Sequence, residues 1–408
     1  MGKFGIKIYE NHQINYRITK MQDTKLFLVP DYYPYFQCKM GVCRHTCCSG
    51  WPISITMKDY FRLVGVQCSP DLRRHLDMSL HILPYPNDEE YAEISPTYDG
   101  NCPMQIADGR CGLQAELGEE ALPLVCRLYP RGIRVTDDWE CSCANSCEVV
   151  PELFLKHSEP IRFLSIPLSF ELPTLKLAEN VFPNGGRGQE IRLYYIRIMQ
   201  NRSLSIPDRL MTLGVAMQNI EKALREDLAQ LDVLLSHEAE PYSGSAEKPT
   251  QETLNSGLKI IGTLLEQVDE RSQSVSTFGA EALQFFAENG NSIDRYYDAK
   301  ANFETILPEW DRVFEHLIVN HMFFEQFPFQ DRPVPVADEF LAICAVYALL
   351  RFLSVGWLAI HPSQKAFVDV TAALFRMIEH TSFDSFAADF LRENNSFSPG
   401  QINDLIRL

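Results

Sequence analysis

The sequence predicts a mainly α protein in which an irregular, cysteine-rich metal-binding module is followed by an α-helical domain. Three observations carry this reading. Eleven of the twelve cysteines lie between Cys38 and Cys147. The same stretch is dense in Pro, Gly and Asp turn signals, and beyond residue 190 apolar residues recur with helical period. With 408 residues, 46% of them hydrophobic, the chain has material for two packed domains. The expected division is 1–165 for the cysteine-rich module and 166–408 for the helical domain.

Taken in order, residues 1–30 alternate at Phe4, Ile6 and Ile8 and again over Lys25–Pro30, which predicts one or two strands or an ordered arm. From Tyr32 to Val150 turns are expected at Met40-Gly41, Ser49-Gly50, Asp99-Gly100 and Asp108-Gly109. Short helices are expected over Thr56–Val64, where Thr56 caps and Asp59 follows three residues on, and over Glu148–His157. A Pro- and Gly-marked connector runs from Ile166-Pro167 to Gly188. Helices are then expected over 190–201, 206–235 with Pro207 in its first turn, 254–268, 277–288, 307–324, 336–360, 364–380, 382–393 and 399–407. A polar loop is expected over 236–251, and no repeat of solenoid period is visible.

The formal net charge is −17, and it resides mainly in the second part: residues 1–158 carry 16 Lys and Arg against 20 Asp and Glu, the remainder 21 against 34. Such a chain repels phosphate backbones, so no nucleic-acid partner is expected. The first residues, Met1-Gly2-Lys3-Phe4-Gly5, contain no apolar run of the export type, and a cytoplasmic location is expected. The apolar stretch Phe340–Ile360 is interrupted by Arg351 and reads as a core helix, so no membrane partner is expected.

In a reducing compartment a dense cysteine array signals metal ligation or redox chemistry. The first group is Cys38, Cys43, Cys47 and Cys48, four thiols in eleven residues with Gly41 and Gly50 to let the backbone curl. The second is Cys102, Cys111 and Cys126; the third is Cys141, Cys143 and Cys147, placed before a helix whose N-terminus favours thiolate. Converging thiolates repel one another unless a metal joins them. Zinc usually takes pairs of C-x2-C knuckles, which are absent here, whereas iron–sulfur clusters accept ligands from scattered loops; iron–sulfur is therefore preferred and zinc is the alternative. Isolated Cys68 and Cys344 read as packing residues.

Phe36-x-Cys38, Cys43-x3-Cys47-Cys48-x-Gly50-Trp51, Gly100-Asn101-Cys102-Pro103, Asp108-Gly109-Arg110-Cys111, Cys126-x2-Tyr129-Pro130-Arg131 and Ser146-Cys147-Glu148 together resemble the flagellin lysine-N-methylase family, itself akin to cysteine-cluster proteins that chelate zinc or iron. Residues 315–323 are similar to a helix of that family. The resemblance implies S-adenosylmethionine-dependent methylation of lysine side chains on a protein substrate, flagellin in the family, by a protein carrying a 4Fe-4S cluster. The thiols that match are Cys38, Cys43, Cys47, Cys48, Cys102, Cys111, Cys126 and Cys147. Glu148 stands where the family usually has Pro, and Cys141 and Cys143 are additional.

Arg127 and Arg131, beside a presumed ligand, are the candidate cofactor-binding residues, with a structural ion pair as the competing role. Asp99, Asp108 and Glu140 could take a lysine proton but read first as turn and cap residues; no catalytic residue is assigned. His45 could be a nitrogen ligand but reads first as exposed to solvent between two Cys, and Tyr32, Tyr33 and Tyr35 are expected to pack. There is no strand–Gly-rich loop–helix motif, and Cys43-x3-Cys47 is followed directly by Cys48, not by the C-x2-C continuation of a radical enzyme. The cluster is expected to be structural. The competing function class is a non-catalytic or redox cysteine-cluster protein that binds a partner.

Overall fold

The alternation over Lys25–Pro30 forms strand β1, with Phe27 and Val29 turned inward. The computed structural model describes residues 24–44, 46–135, 138–170, 187–243, 248–269, 273–288, 290–329, 335–381, 383–393 and 398–408. The expectations for Phe4, Ile6, Ile8, His45, Gly185 and Gly186 lie outside them.

After β1 come β2 (Ile53–Ile55), α1 (Met57–Gly65), α2 (Pro70–Ser79), β3 (Leu80–Ile82), β4 (Ala92–Ile94), α3 (Gly112–Leu117), α4 (Leu124–Leu128), β5 (Arg131–Val135), β6 (Trp139–Cys143), α5 (Val149–Phe154) and β7 (Phe163–Leu168). Thr56 caps α1 as expected, its hydroxyl accepting the Asp59 N–H at 3.1 Å. A small antiparallel sheet, ordered β2-β4-β3, backs α1 and α2. Between them lies a buried cluster of Ile55, Leu63, Leu72, Leu76, Ala92, Ile94, Cys102, Met104, Leu113 and Leu122.

The second sheet is ordered β5-β6-β1-β7, with β1 parallel to β6 and antiparallel to β7. Ile166 and Pro167, read from the sequence as the start of a connector, are instead in β7, opposite Phe27 and Leu26. Proline is tolerated there because β7 is the edge strand, where a missing N–H leaves no ladder bond unmade.

The helices that follow are α6 (Gly188–Met199), α7 (Ile206–Glu226), α8 (Leu228–Ser236), α9 (Gln251–Asp269), α10 (Gln273–Glu288), α11 (Ile293–Ile306), α12 (Trp310–Phe324), α13 (Val336–Ile360), α14 (Gln364–Ile378), α15 (Phe383–Glu393) and α16 (Pro399–Arg407). Sixteen α-helices among the described residues make the chain mainly α. The single helix expected over 206–235 divides at Asp227, whose carboxylate accepts the Ala229 N–H at 3.0 Å and restarts the chain as α8. Helix α11 was not foreseen, and α12 begins after a turn at Leu307–Glu309, not at Leu307.

Helix α13 explains its own composition. It is long and apolar enough to cross a membrane, yet it runs through the bundle, packed by α7, α10, α11, α14, α15 and α16. Arg351 is tolerated in it because the guanidinium lies over Phe303 and Trp310, 4.7 and 4.0 Å from the ring centroids, and reaches Glu304 at 3.4 Å. Helix α12 packs on α5, α6 and β6 and joins the larger sheet to the bundle. One continuous apolar cluster therefore includes Phe27, Val29, Cys141 and Phe154 along with the helical core, drawing on residues from both sides of position 165. A buried pair, Arg192 Nη1 on Glu140 at 2.8 and 2.9 Å, fastens α6 to β6.

Candidate functional site

The first cysteine loop leaves Phe36 and turns sharply at Met40 and Gly41, both at positive φ (51° and 94°). Gly41 is required there twice over. Its backbone is left-handed, and a Cβ would lie 2.2 Å from the Gly109 carbonyl oxygen, so the first loop rests back to back on the second. Lys39 Nζ reaches Glu148 at 2.6 Å and Glu152 at 2.8 Å, and the Arg44 N–H donates to Glu148 at 3.0 Å. Glu148 is buried and immediately follows Cys147. Cys38 and Cys43 are thereby strapped beside Cys147.

A different set of bonds gathers the other thiols. The Cys102 N–H donates to the Cys48 carbonyl at 2.6 Å, next to a bridge between Ser49 and Asn101. Cys111 bridges to Gln105, and the Gly112 N–H donates to Met104 O at 2.6 Å. Cys126 rides on α4, whose Leu124 N–H is held by Asp59 at 2.8 Å. Cys48, Cys102, Cys111 and Cys126 all line the small apolar cluster.

The electrostatics report the same grouping. Burial pushes Cys102 up to about 12, with the charges of Cys48 and Cys111 adding to it. Burial also raises Cys126, and Cys48, Cys102 and Cys111 raise it further. Burial takes Cys147 up to about 12 and Cys43 up to about 11, with Cys38 contributing to both. In the vicinal pair Cys47 donates to Cys48, which holds Cys48 down at about 6, assisted by Thr46 and Arg376, and leaves Cys47 strongly raised. Backbone N–H groups aim at several of these sulfurs: Met40 at Cys38 (3.4 Å), Met104 at Cys102, Leu113 and Gln114 at Cys111, Val149 at Cys147. Such donors favour thiolate, the form that ligates metal. By donor chemistry the thiols fit a thiophilic centre, although among the described residues no three His, Cys, Asp or Glu side chains are drawn into metal-holding geometry. None of the twelve cysteines is in a disulfide.

The remaining cysteines are elsewhere. Cys141 and Cys143, two apart on β6, share its inward face in the large cluster; Cys143 N–H donates to Tyr32 Oη at 3.1 Å. Cys344 is buried in α13, and Cys68 borders the small cluster. Arg131 donates to Tyr33 Oη at 3.2 Å and lies over Phe36, while Arg127 stands on α4 one residue after Cys126. Asp99 and Asp108 hold their own turns, through Thr97 and Asn101 and through Arg110 respectively, and Glu140 is the buried partner of Arg192.

Sequence reasoning missed the wall opposite Cys47, Cys48 and Cys147. His380, just beyond α14, sits 5.2 Å from Trp51 and 6.0 Å from Tyr129 by ring centroids. Its Nε2 is 3.0 Å from Ser146 Oγ, which is 3.1 Å from Tyr129 Oη. Arg376 lies over Trp51 at 4.8 Å and donates to Ser49 O at 3.2 Å. Glu379 accepts the N–H groups of Asn145 and Ser146 at 3.2 and 3.1 Å and faces His321 at 3.6 Å. Burial of the ring lowers the His380 pKa from its ordinary value, with Glu379 opposing it. His380 as a residue is exposed. Two surface cavities, of 770 Å³ between α9 and α10 and of 310 Å³ beside α7 and α8, contain no cysteine.

Residues 192–403 match the FliB lysine N-methylase C-terminal domain. The lysine-N-methylases of Salmonella choleraesuis and Salmonella typhimurium are each 32% identical over 106 residues, 25% of this chain and 25% of theirs. The flagellar biosynthetic protein FliU of Salmonella muenchen is 33% identical over 107 residues, 25% of this chain and 60% of that protein. The chain thus covers about a quarter of the length of the two lysine-N-methylases. No solved structure matches.

Proposed function

Because the chain belongs to the FliB lysine N-methylase family, we propose that it transfers methyl groups from S-adenosylmethionine to lysine side chains of a protein, flagellin being the substrate class put forward. The observation that carries this reading is the family match over 192–403, which runs from within α6 into α16 and so includes the wall bearing Arg376, Glu379 and His380.

Lysine attacks only as the free amine, so a methylase must take a proton from a group whose ordinary pKa is about 10.4. His380 is the proposed acceptor: it is exposed and bonded to Ser146, which passes the contact on to Tyr129. The faces of Trp51 and Tyr129 suit a positively charged group, as the guanidinium already over Trp51 illustrates. Arg127 and Arg131 remain the proposed partners of the cofactor's carboxylate. Four of the eight thiols would ligate a 4Fe-4S cluster, or zinc as the alternative; when bound, the metal would satisfy thiolates that otherwise repel and would fix the loops that carry them. A cytoplasmic location is part of the same proposal.

The test is methyl transfer by the anaerobically purified chain, supplied with methyl-labelled S-adenosylmethionine and flagellin. Label on lysine Nε is expected, and His380→Gln should reduce its rate by roughly a hundredfold or more. A metal-replete, folded chain that binds no S-adenosylmethionine in calorimetry and transfers no label would overturn the proposal in favour of a partner-binding cysteine-cluster protein.

A further inference from the structure

Helix α8 carries five large apolar side chains, Leu228, Leu231, Val233, Leu234 and Leu235, and buries only Leu231. We infer that the cavity beside α7 and α8 is a binding site for a cationic side chain, lysine or arginine, presented by a peptide segment of a partner. The inference goes beyond the proposed methyl transfer and does not rest on it.

Three observations place it. The first is an apolar wall: Val215 of α7 and Val233 of α8, 42% and 57% exposed, line the same 310 Å³ cavity together with Ala216 and Leu234. Single exposed apolar side chains are ordinary, but here two helices turn theirs toward one space. The second is a rim. The Tyr242 N–H donates to Thr212 Oγ1 at 3.0 Å, which folds the chain leaving α8 back onto α7 and brings Glu238 and Glu240, both exposed, to the edge of the cavity. The third is which charges are already paired. Glu221 is held by Arg225 at 3.3 Å, Glu226 by Lys222 at 3.9 Å and Asp232 by Arg187 at 2.6 Å. Glu238 and Glu240 have no ion-pair partner among the described residues, and the nearby Arg197 is engaged with Leu235 O at 3.1 Å and with the Tyr194 ring.

These features select one class of occupant. Lysine and arginine have an apolar stem that ends in a charge, so the stem can lie along Val215 and Val233 while the head meets the two carboxylates. The volume stands at the lower end of ligand pockets, about 300 Å³, which suits one long side chain. A second copy of the chain is disfavoured, because residues beyond 158 carry 34 acidic against 21 basic side chains and would bring like charge to the rim. An acidic segment is refused for the same reason.

The experiment follows a dye-labelled peptide of alternating serine and lysine by fluorescence anisotropy with the full chain at low salt, beside its serine–glutamate counterpart. Saturable binding of the lysine peptide alone is expected. Glu238→Gln with Glu240→Gln should weaken it roughly three- to tenfold, the size of two exposed ion pairs. Val215→Ser with Val233→Ser, which leaves the net charge untouched, should weaken it roughly threefold or more through lost contact with the stem. All four positions are exposed, so both variants should fold, as circular dichroism checks. Glu252→Gln with Glu266→Gln on α9, also exposed, should change nothing. No saturable binding overturns the inference. So does equal weakening by the α9 pair, or unchanged binding in the valine pair, since either leaves only a general attraction to an acidic surface. Sedimentation showing a dimer that the valine pair disperses would give the cavity to a second copy and overturn it as well. No methyl transfer is measured, so failure of that proposal leaves this result readable.

Discussion

The lobe around β2, β3 and β4 and the bundle around α13 are both folded, but by different means. Ten buried hydrophobic residues make up the small cluster, while α13 alone buries fourteen. Apolar burial of that extent holds the bundle. The lobe between Cys48 and Cys126 instead spends its chain on turns, several at left-handed glycines, and its ten side chains are few against the entropy of ordering such a length. On the proposal that these thiols ligate metal, the thiols that line it would supply the further constraint such a lobe needs. The difference teaches where function can be placed: the wall from α14 supplies Arg376, Glu379 and His380, and the cysteine-bearing loops present Trp51 to it.

Core truncation should separate the two regions most strongly. Phe314, fully buried among Phe303, Trp310, Tyr347 and Phe367, should cost about 3–5 kcal/mol of global stability as Phe314→Ala. Leu76→Ala, fully buried in the lobe, should cost about 2–5 kcal/mol, confined to the lobe. Urea unfolding followed by far-ultraviolet circular dichroism reads the first, and limited proteolysis between residues 48 and 126 reads the second. Equal global losses from both would merge the two regions into one cooperative unit.

A smaller effect is expected from Gly41→Ala, which meets both a left-handed backbone and the Gly109 carbonyl. About 1–3 kcal/mol of strain should loosen the first loop from the second and lower metal retention, with the bundle's melting unchanged. Unaltered metal content would show that the contact between Gly41 and Gly109 positions nothing.

Acidity probes the bundle from within. Burial alone would pull His321 down, but Glu379, Asp384 and Glu325 outweigh it and raise His321 from 6.5 to about 9. Its contribution is therefore complete below about pH 6.5 and lost as pH rises through 9. Burial lifts Glu325 from 4.5 to about 7, so ionising it costs stability progressively as pH rises through that range. Both slopes run the same way, and bundle stability should fall from pH 5 to pH 9. Glu325→Gln should flatten the lower half of a melting-temperature profile; a profile rising toward pH 9 would contradict the assignment.

The smallest change is Thr56→Ala at the cap of α1, about 1 kcal/mol, read as a local rise in amide exchange over α1 alone.

What the sequence made legible follows the same division. Long helices were readable because period and cap signals agree over many residues: α13 and α16 have the ends expected of them, and Thr56 caps where it should. The short strands were not, since three residues such as Ile53–Ile55 carry too little alternation to register. Helix α2 was passed over although Ser69-Pro70 announces it, because its surroundings were read as loop. Cysteine type and spacing marked out the thiol-bearing segments, but nothing local says that Cys48 groups with Cys126 and not with Cys43. The wall was invisible for the same reason: Ser146 and His380 are 234 residues apart and meet only once α14 has packed on α5.

Hydrogen exchange across the whole chain, metal-replete and then stripped with a chelator under anaerobic conditions, tests most directly the claim that metal holds one region and apolar burial the other. Stripping should abolish protection in residues 48–126 while α12, α13 and α14 keep theirs. Protection that survives in both regions after the metal is gone, or is lost from both together, would contradict it.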